Sequence, residues 1–460
     1  MSSPKIFFAR LRDIAGRLDP RYHSPLFSNN ISRIRMGRCA TVGDCCEMSE
    51  ETWNKVALFP DMFPYVEIGA INTEDGDIVT IEEIPTAEAP SRAQMVIRSG
   101  DIIVSMTRPT RNAIARVTTD IDTAIASTGF AVIRSVDRSM ILPDYLFHVL
   151  RLEFCTLQFD QRSSGGNYPA VTKEDLRKIL IPLPPLDVQE RLVAELDAAY
   201  AAKRAADEKA TKLLATIDDM VLKELGIAKL PKPDTSLSSR IFTVPARKVA
   251  NMTLAPDHYF DSIDFSKTKY PCERFVERIE IDPPLGLEQI TKLVSMESVS
   301  AEWCVIESIE DISPDATQGY STFRGGDVIW ARITPCMENG KSAVVEAEPS
   351  ECFCGSTEFL VFRPKDDKVN PYYLQSLLHL KRFREVAAHH FTGTSGHQRV
   401  TADFFKSISI PIPPRSLQDR IASTTSSIRV EARKLKADAT AALDAAKRKI
   451  ETGIVGKLNT

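Results

Sequence analysis

At 460 residues, 43% of them hydrophobic, the chain can bury more than one core, and its length predicts two to four domains. A formal net charge of −4 excludes a protein that holds nucleic acid by bulk positive charge alone, while leaving room for local basic surfaces. No run approaches the roughly 20 apolar residues of a membrane span, Met1 to Arg12 has no signal-peptide core, and the nine cysteines show no CxxC spacing. These features predict a cytoplasmic protein with reduced thiols, no membrane contact and no metal site.

In chain order, a first globular unit is expected over residues 1–180. Gly100-Asp101 reads as a turn into a buried strand of β-branched residues that runs towards Pro109, and Ser127 to Arg134 reads as a second strand. An amphipathic helix is predicted over Tyr145 to Phe159, followed by a glycine-containing loop, Ser164-Gly-Gly-Asn-Tyr-Pro-Ala-Val-Thr172, and a short helix. The elbow Ile181-Pro-Leu-Pro-Pro185 forces extended backbone and pre-sets the first turn of a long helix in residues 181–230. That helix should stop near Gly226, and Pro231-Lys-Pro233 with Ser236 to Ser239 reads as a linker.

A second unit, residues 231–409, then repeats the first. Leu18-Asp-Pro-Arg-Tyr22 is answered by Leu254-Ala-Pro-Asp-His-Tyr259, and Gly100-Asp-Ile-Ile-Val-Ser-Met-Thr-Arg-Pro109 by Gly326-Asp-Val-Ile-Trp-Ala-Arg-Ile-Thr-Pro335. Ser127-Thr-Gly-Phe130 is answered by Ser356-Thr-Glu-Phe359, the first helix by Tyr373 to Ala388, and the Val171-Thr172 loop end by Val400-Thr401. The elbow itself returns 229 positions on, as Ile410-Pro-Ile-Pro-Pro-Arg-Ser-Leu-Gln418, and opens a second long helix in residues 410–460. Ordered recurrence at near-constant offset marks two diverged copies of one mixed α/β (α+β) unit.

The long helices carry alternating three- and four-residue apolar steps. Leu192, Leu196, Leu213 and Ile217 mark the seam of the first, interrupted at Lys203; Leu417, Ile421, Ile428, Leu435, Ala442 and Ile450 mark the second. This is a coiled-coil pattern, and many alanines allow close approach, so each helix is the other's expected partner. At 1.5 Å per residue, about 35 to 40 residues make a rod of roughly 50 to 60 Å. Basic residues on the outer faces, among them Lys203, Arg204, Arg429, Arg433, Lys436 and Lys449, are expected to be mostly solvated.

A duplicated α/β unit, each copy followed by an I-P-hydrophobic-P-P-x-x-x-Q elbow ending in Gln189 or Gln418 and then a long helix, resembles the specificity subunit of type I restriction-modification systems. The resemblance spans essentially the whole chain. It implies two target-recognition domains that each read one half of a bipartite double-stranded DNA sequence, with the helices packed as an antiparallel coiled coil that sets the spacer. It further implies a chain without catalysis or cofactor of its own, which recruits two methyltransferase subunits carrying S-adenosylmethionine, and restriction or motor subunits. A different class remains open: a non-catalytic scaffold of a related defence complex that binds another protein or a modified nucleic acid.

Fragments that look catalytic fail on inspection. Asn370-Pro-Tyr-Tyr373 and Asp282-Pro-Pro-Leu285 each miss one position of adenine-methyltransferase motifs, and helix initiation explains the first better. Gly340-Lys-Ser342 lacks the upstream glycine of a phosphate loop and reads as a hairpin turn. Asp327, Glu338 and Lys341 have the wrong spacing for a nuclease carboxylate set.

Reading bases requires donors and acceptors on loops. In the first unit these concentrate at Thr107, Arg108, Arg111 and Asn112, and at Ser163, Ser164, Asn167 and Tyr168. In the second they are Arg332, Thr334, Asn339 and Lys341, with Thr394, Ser395, His397, Gln398 and Arg399. For any single side chain an ordinary ion pair, such as Arg108 or Arg332 with a carboxylate, is an equally good account.

Overall fold

The computed structural model describes residues 19–54, 58–227, 236, 238, 241, 243–244, 263–285, 290–394 and 396–456. Leu254 to Tyr259, the linker prolines Pro231 and Pro233, and Ser395 lie outside the described residues. Two compact units emerge, residues 1–205 with 438–460, and residues 206–437, so the division falls inside both long helices.

The first unit begins with helix α1 (Pro25–Ile34), strand β1 (Cys39–Thr41), the short α2 (Val42–Cys45) and β2 (Cys46–Ser49). Strands β3 (Met62–Val66), β4 (Glu82–Pro85), β5 (Ala93–Arg98), β6 (Ile102–Ser105), β7 (Ile114–Arg116), β8 (Thr123–Ser127) and β9 (Phe130–Val136) follow. Helices α3 (Pro143–Leu150), α4 (Glu153–Arg162) and α5 (Lys173–Arg177), strand β10 (Leu180–Pro182) and the long helix α6 (Leu186–Glu224) complete the copy. Its strands form two four-stranded sheets, ordered β2-β9-β6-β7 and β4-β3-β8-β5, and a ribbon of β1 with β10.

The second unit has β11 (Cys272–Arg274), α7 (Phe275–Arg278), β12 (Ile279–Ile281), β13 (Lys292–Val294), β14 (Glu310–Asp311), β15 (Ser321–Arg324), β16 (Val328–Ala331), β17 (Ser342–Val344), β18 (Cys352–Gly355) and β19 (Phe359–Pro364). After them come α8 (Pro371–His379), α9 (Lys381–His389), β20 (Phe391–Thr392), β21 (Arg399–Val400), α10 (Ala402–Ser407), β22 (Ser409–Pro411) and the long α11 (Arg415–Val455). Its sheets, β12-β19-β16-β17 and β14-β13-β18-β15, and its ribbon β11-β22 repeat the first topology strand for strand. Even the lone parallel pairing recurs, β3 on β8 and β13 on β18.

The Gly-Asp strands sit at the centre of each copy because both of their faces are covered. Ile102 and Val104 of β6 point into one core while Ile103 points into another; Val328 and Trp330 of β16 are divided from Ile329 and Ala331 in the same way. Gly100 and Gly326 take φ of 89° and 86° at the preceding turns, a conformation that glycine adopts without strain. The aspartates beside them are buried, and each is engaged by an arginine from the next strand, Asp101 by Arg134 at 2.9 Å and Asp327 by Arg363 at 2.7 Å. Asp327 is thus a structural carboxylate.

The single helix expected after each strand pair is in fact two. The breaks fall at Leu152 and Leu380, 2% and 1% exposed, whose extended backbone directs the leucine into the core while the next helix turns back. Leucine is a good helix former, so nothing in the residue types marks the break.

Within the first unit α6 packs on α11 through Leu196, Tyr200, Leu443 and Ile450, with Leu192 against the same core. Within the second they meet through Ile217, Val221, Leu417 and Ile421, with Ile428 alongside. Leu213 and Leu435 are half-buried. The pairing is antiparallel: Glu195 meets Lys449 in one unit and Glu224 meets Arg420 in the other. On α6 the buried positions Gln189, Leu196, Lys203, Ala210 and Ile217 fall seven apart, a strict heptad seam. On α11 the expected seam residue Ala442 is exposed and Leu443 is buried instead, because the larger apolar side chain gains more from burial. Helix α6 stops as expected: Gly226 is left-handed, its N–H donates to Lys223 O, and the Ile227 N–H donates to Leu222 O.

Most of the basic outer-face residues are exposed as expected, Arg204, Arg433 and Lys449 among them, but Lys203 and Arg429 are buried. Lys203 pairs with Glu74 at 2.8 Å and Arg204 with Asp77 at 3.6 Å; Arg433 pairs with Glu307 at 3.4 Å and Lys436 with Glu302. These are corresponding acidic loops, 71–78 and 299–307, each docked on the long helix beside its own domain. Charged groups that are in good part still solvated thus also help to seat domain on rod. Arg429 is likewise buried, bonded to Gln375 at 3.0 Å.

Candidate nucleic-acid interface

In each unit the loop after the Gly-Asp strand lies against the glycine-containing loop that precedes the short helix. Thr107 forms a bridge with Ala170, and Ile333 forms one with Arg399. The backbone frame is the same in both copies. Val171 N–H donates to Met106 O and Val400 N–H to Arg332 O, each at 2.9 Å; Arg108 N–H donates to Pro169 O at 2.7 Å and Thr334 N–H to Gln398 O at 3.0 Å. A third segment joins them, the turn ahead of β9 or β19: Met106 N–H donates to Gly129 O and Arg332 N–H to Glu358 O. Three chain segments therefore converge at one edge of each unit, held by backbone hydrogen bonds that do not depend on side chains.

The side chains on this frame differ. In the first unit Arg108 stacks over the Tyr168 ring at 4.4 Å and donates to Asn167 O, and Tyr168 is 69% exposed. Arg108 and Asn112 both adopt left-handed backbone, φ 49° and 64°, and Asn112 is anchored by its amide to Arg151 O. Arg111, Ser164 and Asn167 are exposed. Ser163 is buried, its hydroxyl donating to Phe159 O, and faces the helix interior.

In the second unit Arg332 and Arg399 both lie on Glu358. Arg399 grips it with Nε at 2.8 Å and Nη2 at 2.7 Å, and Arg332 Nε is 3.5 Å away. The two arginines hold the Glu358 carboxyl below its usual range, hydrogen bonding from Arg399 being the larger cause. Thr334 bonds to Glu338, and Lys341 is tied by its ammonium to Met296 O at 2.7 Å. Asn339 and His397 are exposed, Gln398 is half-buried, and Thr394 is exposed. The sequence pattern missed Glu358, although its place opposite Gly129 in the aligned turns was visible. Beside the turn, Ser295, Met296, Gln318, Tyr320, Ser356 and Thr357 line an open cleft of about 490 Å³.

The catalytic look-alikes resolve into structure. Asn370 caps α8 by accepting from the Tyr372 N–H, and Asp282 closes β12 by accepting from the Val361 N–H. Gly340 lies in the β16–β17 hairpin loop, with φ of 86°.

Residues 40–212 and 298–436 match the type I restriction modification DNA specificity domain, one stretch on each copy. The chain belongs to this family. Among individual members, it is 31% identical over 138 residues to the type I restriction enzyme EcoEI specificity subunit of Escherichia coli, covering 30% of this chain and 23% of that protein. It is 30% identical over 177 residues to the EcoAI specificity subunit of Escherichia coli, covering 38% and 30%. The chain thus aligns with less than a third of either relative. A chain solved in work on complex assembly and conformational transition of the type I R-M system superposes with a TM-score of 0.52 at 26% identity, over 91% of this chain and 96% of that one. That full-length agreement extends the family's fold across both copies and both helices. No helix among the described residues is long and apolar enough to cross a membrane.

Proposed function

We propose that this chain is the DNA-specificity subunit of a type I restriction-modification complex, with each unit reading one half of a bipartite double-stranded target and the antiparallel helices setting the spacer. The observation that carries the reading is the doubled loop frame: the same three segments converge in both copies, on the same backbone hydrogen bonds, with different side chains displayed. Two different half-words require that combination. The family match over both copies gives it chemical context.

In this reading the chain is cytoplasmic and performs no chemistry. Two methyltransferase subunits supply S-adenosylmethionine and adenine methylation, and motor-nuclease subunits supply cutting. The mild net negative charge accords with this division, since bulk attraction to phosphates is left to partners. The test is co-expression with a type I methyltransferase subunit from the same host. A stable complex with two methyltransferases per chain that binds a bipartite duplex, with affinity falling steeply as salt rises, is the expected result. A chain that purifies alone and ignores duplex DNA contradicts the proposal.

A further inference from the structure

The two copies differ most sharply at three positions that their common frame places side by side. Where the second unit has Arg332, Glu358 and Arg399, the first has Met106, Gly129 and Ala170. A charged triad has replaced, or been replaced by, three residues without charge, on an unchanged backbone. A Cβ on Gly129 would meet only the end of the Ile68 side chain, Cδ1 at 2.7 Å, which can turn aside, so the backbone of the first unit does not itself forbid a side chain there.

We infer that Arg332 and Arg399, cross-braced by Glu358, form the base-reading element of the second unit and that its half-word contains a G·C pair read by this triad. The inference rests on the proposed function above and assigns the chemistry of one of its two sites. Three observations lead to it. First, Arg399 is oriented, while Arg332 lies beside the same carboxylate as an ion pair at 3.5 Å. Arg399 spends Nε and one Nη2 hydrogen on Glu358 and one Nη1 hydrogen on His397 O at 2.8 Å, which leaves one N–H on each terminal nitrogen. A guanidinium held on a fixed plane by Glu358, with an N–H left on each terminal nitrogen, has the donors that the O6 and N7 acceptors of guanine require. Second, the group is placed to reach a ligand: Arg399 and Arg332 side chains are 37% and 31% exposed, at the edge where the loops meet.

Third, the carboxylate argues against a phosphate as the partner. Glu358 is 19% exposed and sits between the two guanidinium groups, so a phosphate approaching them would also approach a negative charge. A base edge carries no such penalty, and Glu358 can in addition accept from the exocyclic amine of cytosine. In the first unit the corresponding positions offer neither donors nor acceptors from side chains. The display there rests on Arg108 over Tyr168 and the exposed Arg111, so the two half-words are read by different chemistry on one scaffold.

The experiment uses the whole chain in complex with its methyltransferase subunits and reads the methylated motif by long-read sequencing. Arg399→Ala, Arg332→Met and Glu358→Gln are compared with the parent chain. The expected result is an unchanged first half-word and spacer, with a G·C position of the second half-word becoming degenerate, a loss of roughly ten- to hundred-fold discrimination there. The untouched first half-word reports that the variant folds and assembles. If Arg399→Ala fails to assemble, Arg399→Lys decides: it keeps the charge but loses the planar fork, so it should relax the same position while retaining methylation.

An unaltered second half-word in these variants overturns the inference, as does a parent half-word without G·C. So does a uniform fall in methylation across all sites with a smaller salt slope, which is the signature of a phosphate contact. A parent chain that directs no bipartite motif at all refutes instead the function on which the inference rests.

Discussion

Gln189 and Gln418 show what a single residue contributes here. Both are fully buried one turn into a long helix, and each spends its amide in the same way. Gln189 accepts from the Leu142 N–H and donates to Met140 O and Pro184 O; Gln418 accepts from the Asn370 N–H and donates to Lys368 O and Pro413 O. The amide ties the rod, the elbow and the start of the domain's helix pair together. Gln418→Ala would leave two buried backbone groups and one part-buried carbonyl without this partner and should cost about 3 kcal/mol, seen as a melting transition of the second unit lowered by roughly 6 to 12 °C. A shift under 2 °C would show that water replaces the amide without loss. The glutamine was legible in the sequence as part of a repeated motif, but its role was not, because two of its three partners lie about 50 residues back along the chain.

His148 gives the residue scale a pH dependence. It is 3% exposed, stacks on Tyr200 at 5.8 Å and bonds to Asp197 at 2.9 Å, and burial outweighs that carboxylate to lower its pKa below the ordinary 6.5. The unfolded chain therefore takes up a proton near pH 6.5 that the folded chain refuses. The resulting stability is present above that pH and is lost as pH falls towards the depressed folded value, by at most about 1.4 kcal/mol per unit. His148→Phe, which packs but cannot titrate, should flatten the dependence of melting temperature on pH between 6.5 and 5. An equal slope in both proteins would mean that other groups govern it.

Among the elements, the elbows, the Gly-Asp strands and the heptad seam were legible because each rests on local rules: proline geometry, glycine at a turn, and side-chain period. What was not legible depends on tertiary contact. The helix breaks at Leu152 and Leu380 and the Ala442 to Leu443 shift follow from burial, and the ion pairing of Lys203, Arg204, Arg433 and Lys436 follows from acidic loops distant in sequence. In the candidate site, the loops could be read from composition and the place of Glu358 from its alignment with Gly129, whereas its role could not, since a carboxylate is not an obvious reader of DNA until two arginines are seen on it. The seam also makes the rods adjustable. Removing seven residues from each of α6 and α11 preserves the heptad and shortens the pair by about 10 Å, close to three base pairs of B-form DNA. The expected outcome is a recognised spacer shortened by about that amount with both half-words intact. An unchanged spacer would show that rod length does not set it.

For the whole molecule, two units share one topology to the order of every strand in their four-stranded sheets, with the parallel pairing in the same place. Under the proposed function, duplication accounts for two reading surfaces on a mildly acidic protein: the frame is inherited, and only the side chains at the loop edge need diverge. It also explains the pattern of substitution within the packing. Arg151 lies over Tyr200 at 5.9 Å in the first unit, whereas the matching positions in the second hold His379 and Arg429, so the arginine has moved from domain to rod.

The central claim is that two diverged copies on one spacer read two words of DNA at a fixed separation. Long-read methylome sequencing of the host with and without this gene tests it most directly. The account predicts one bipartite N6-methyladenine motif, two short words at a constant spacing, present with the gene and lost without it. Identical methylomes, or loss of a single uninterrupted word, would contradict it.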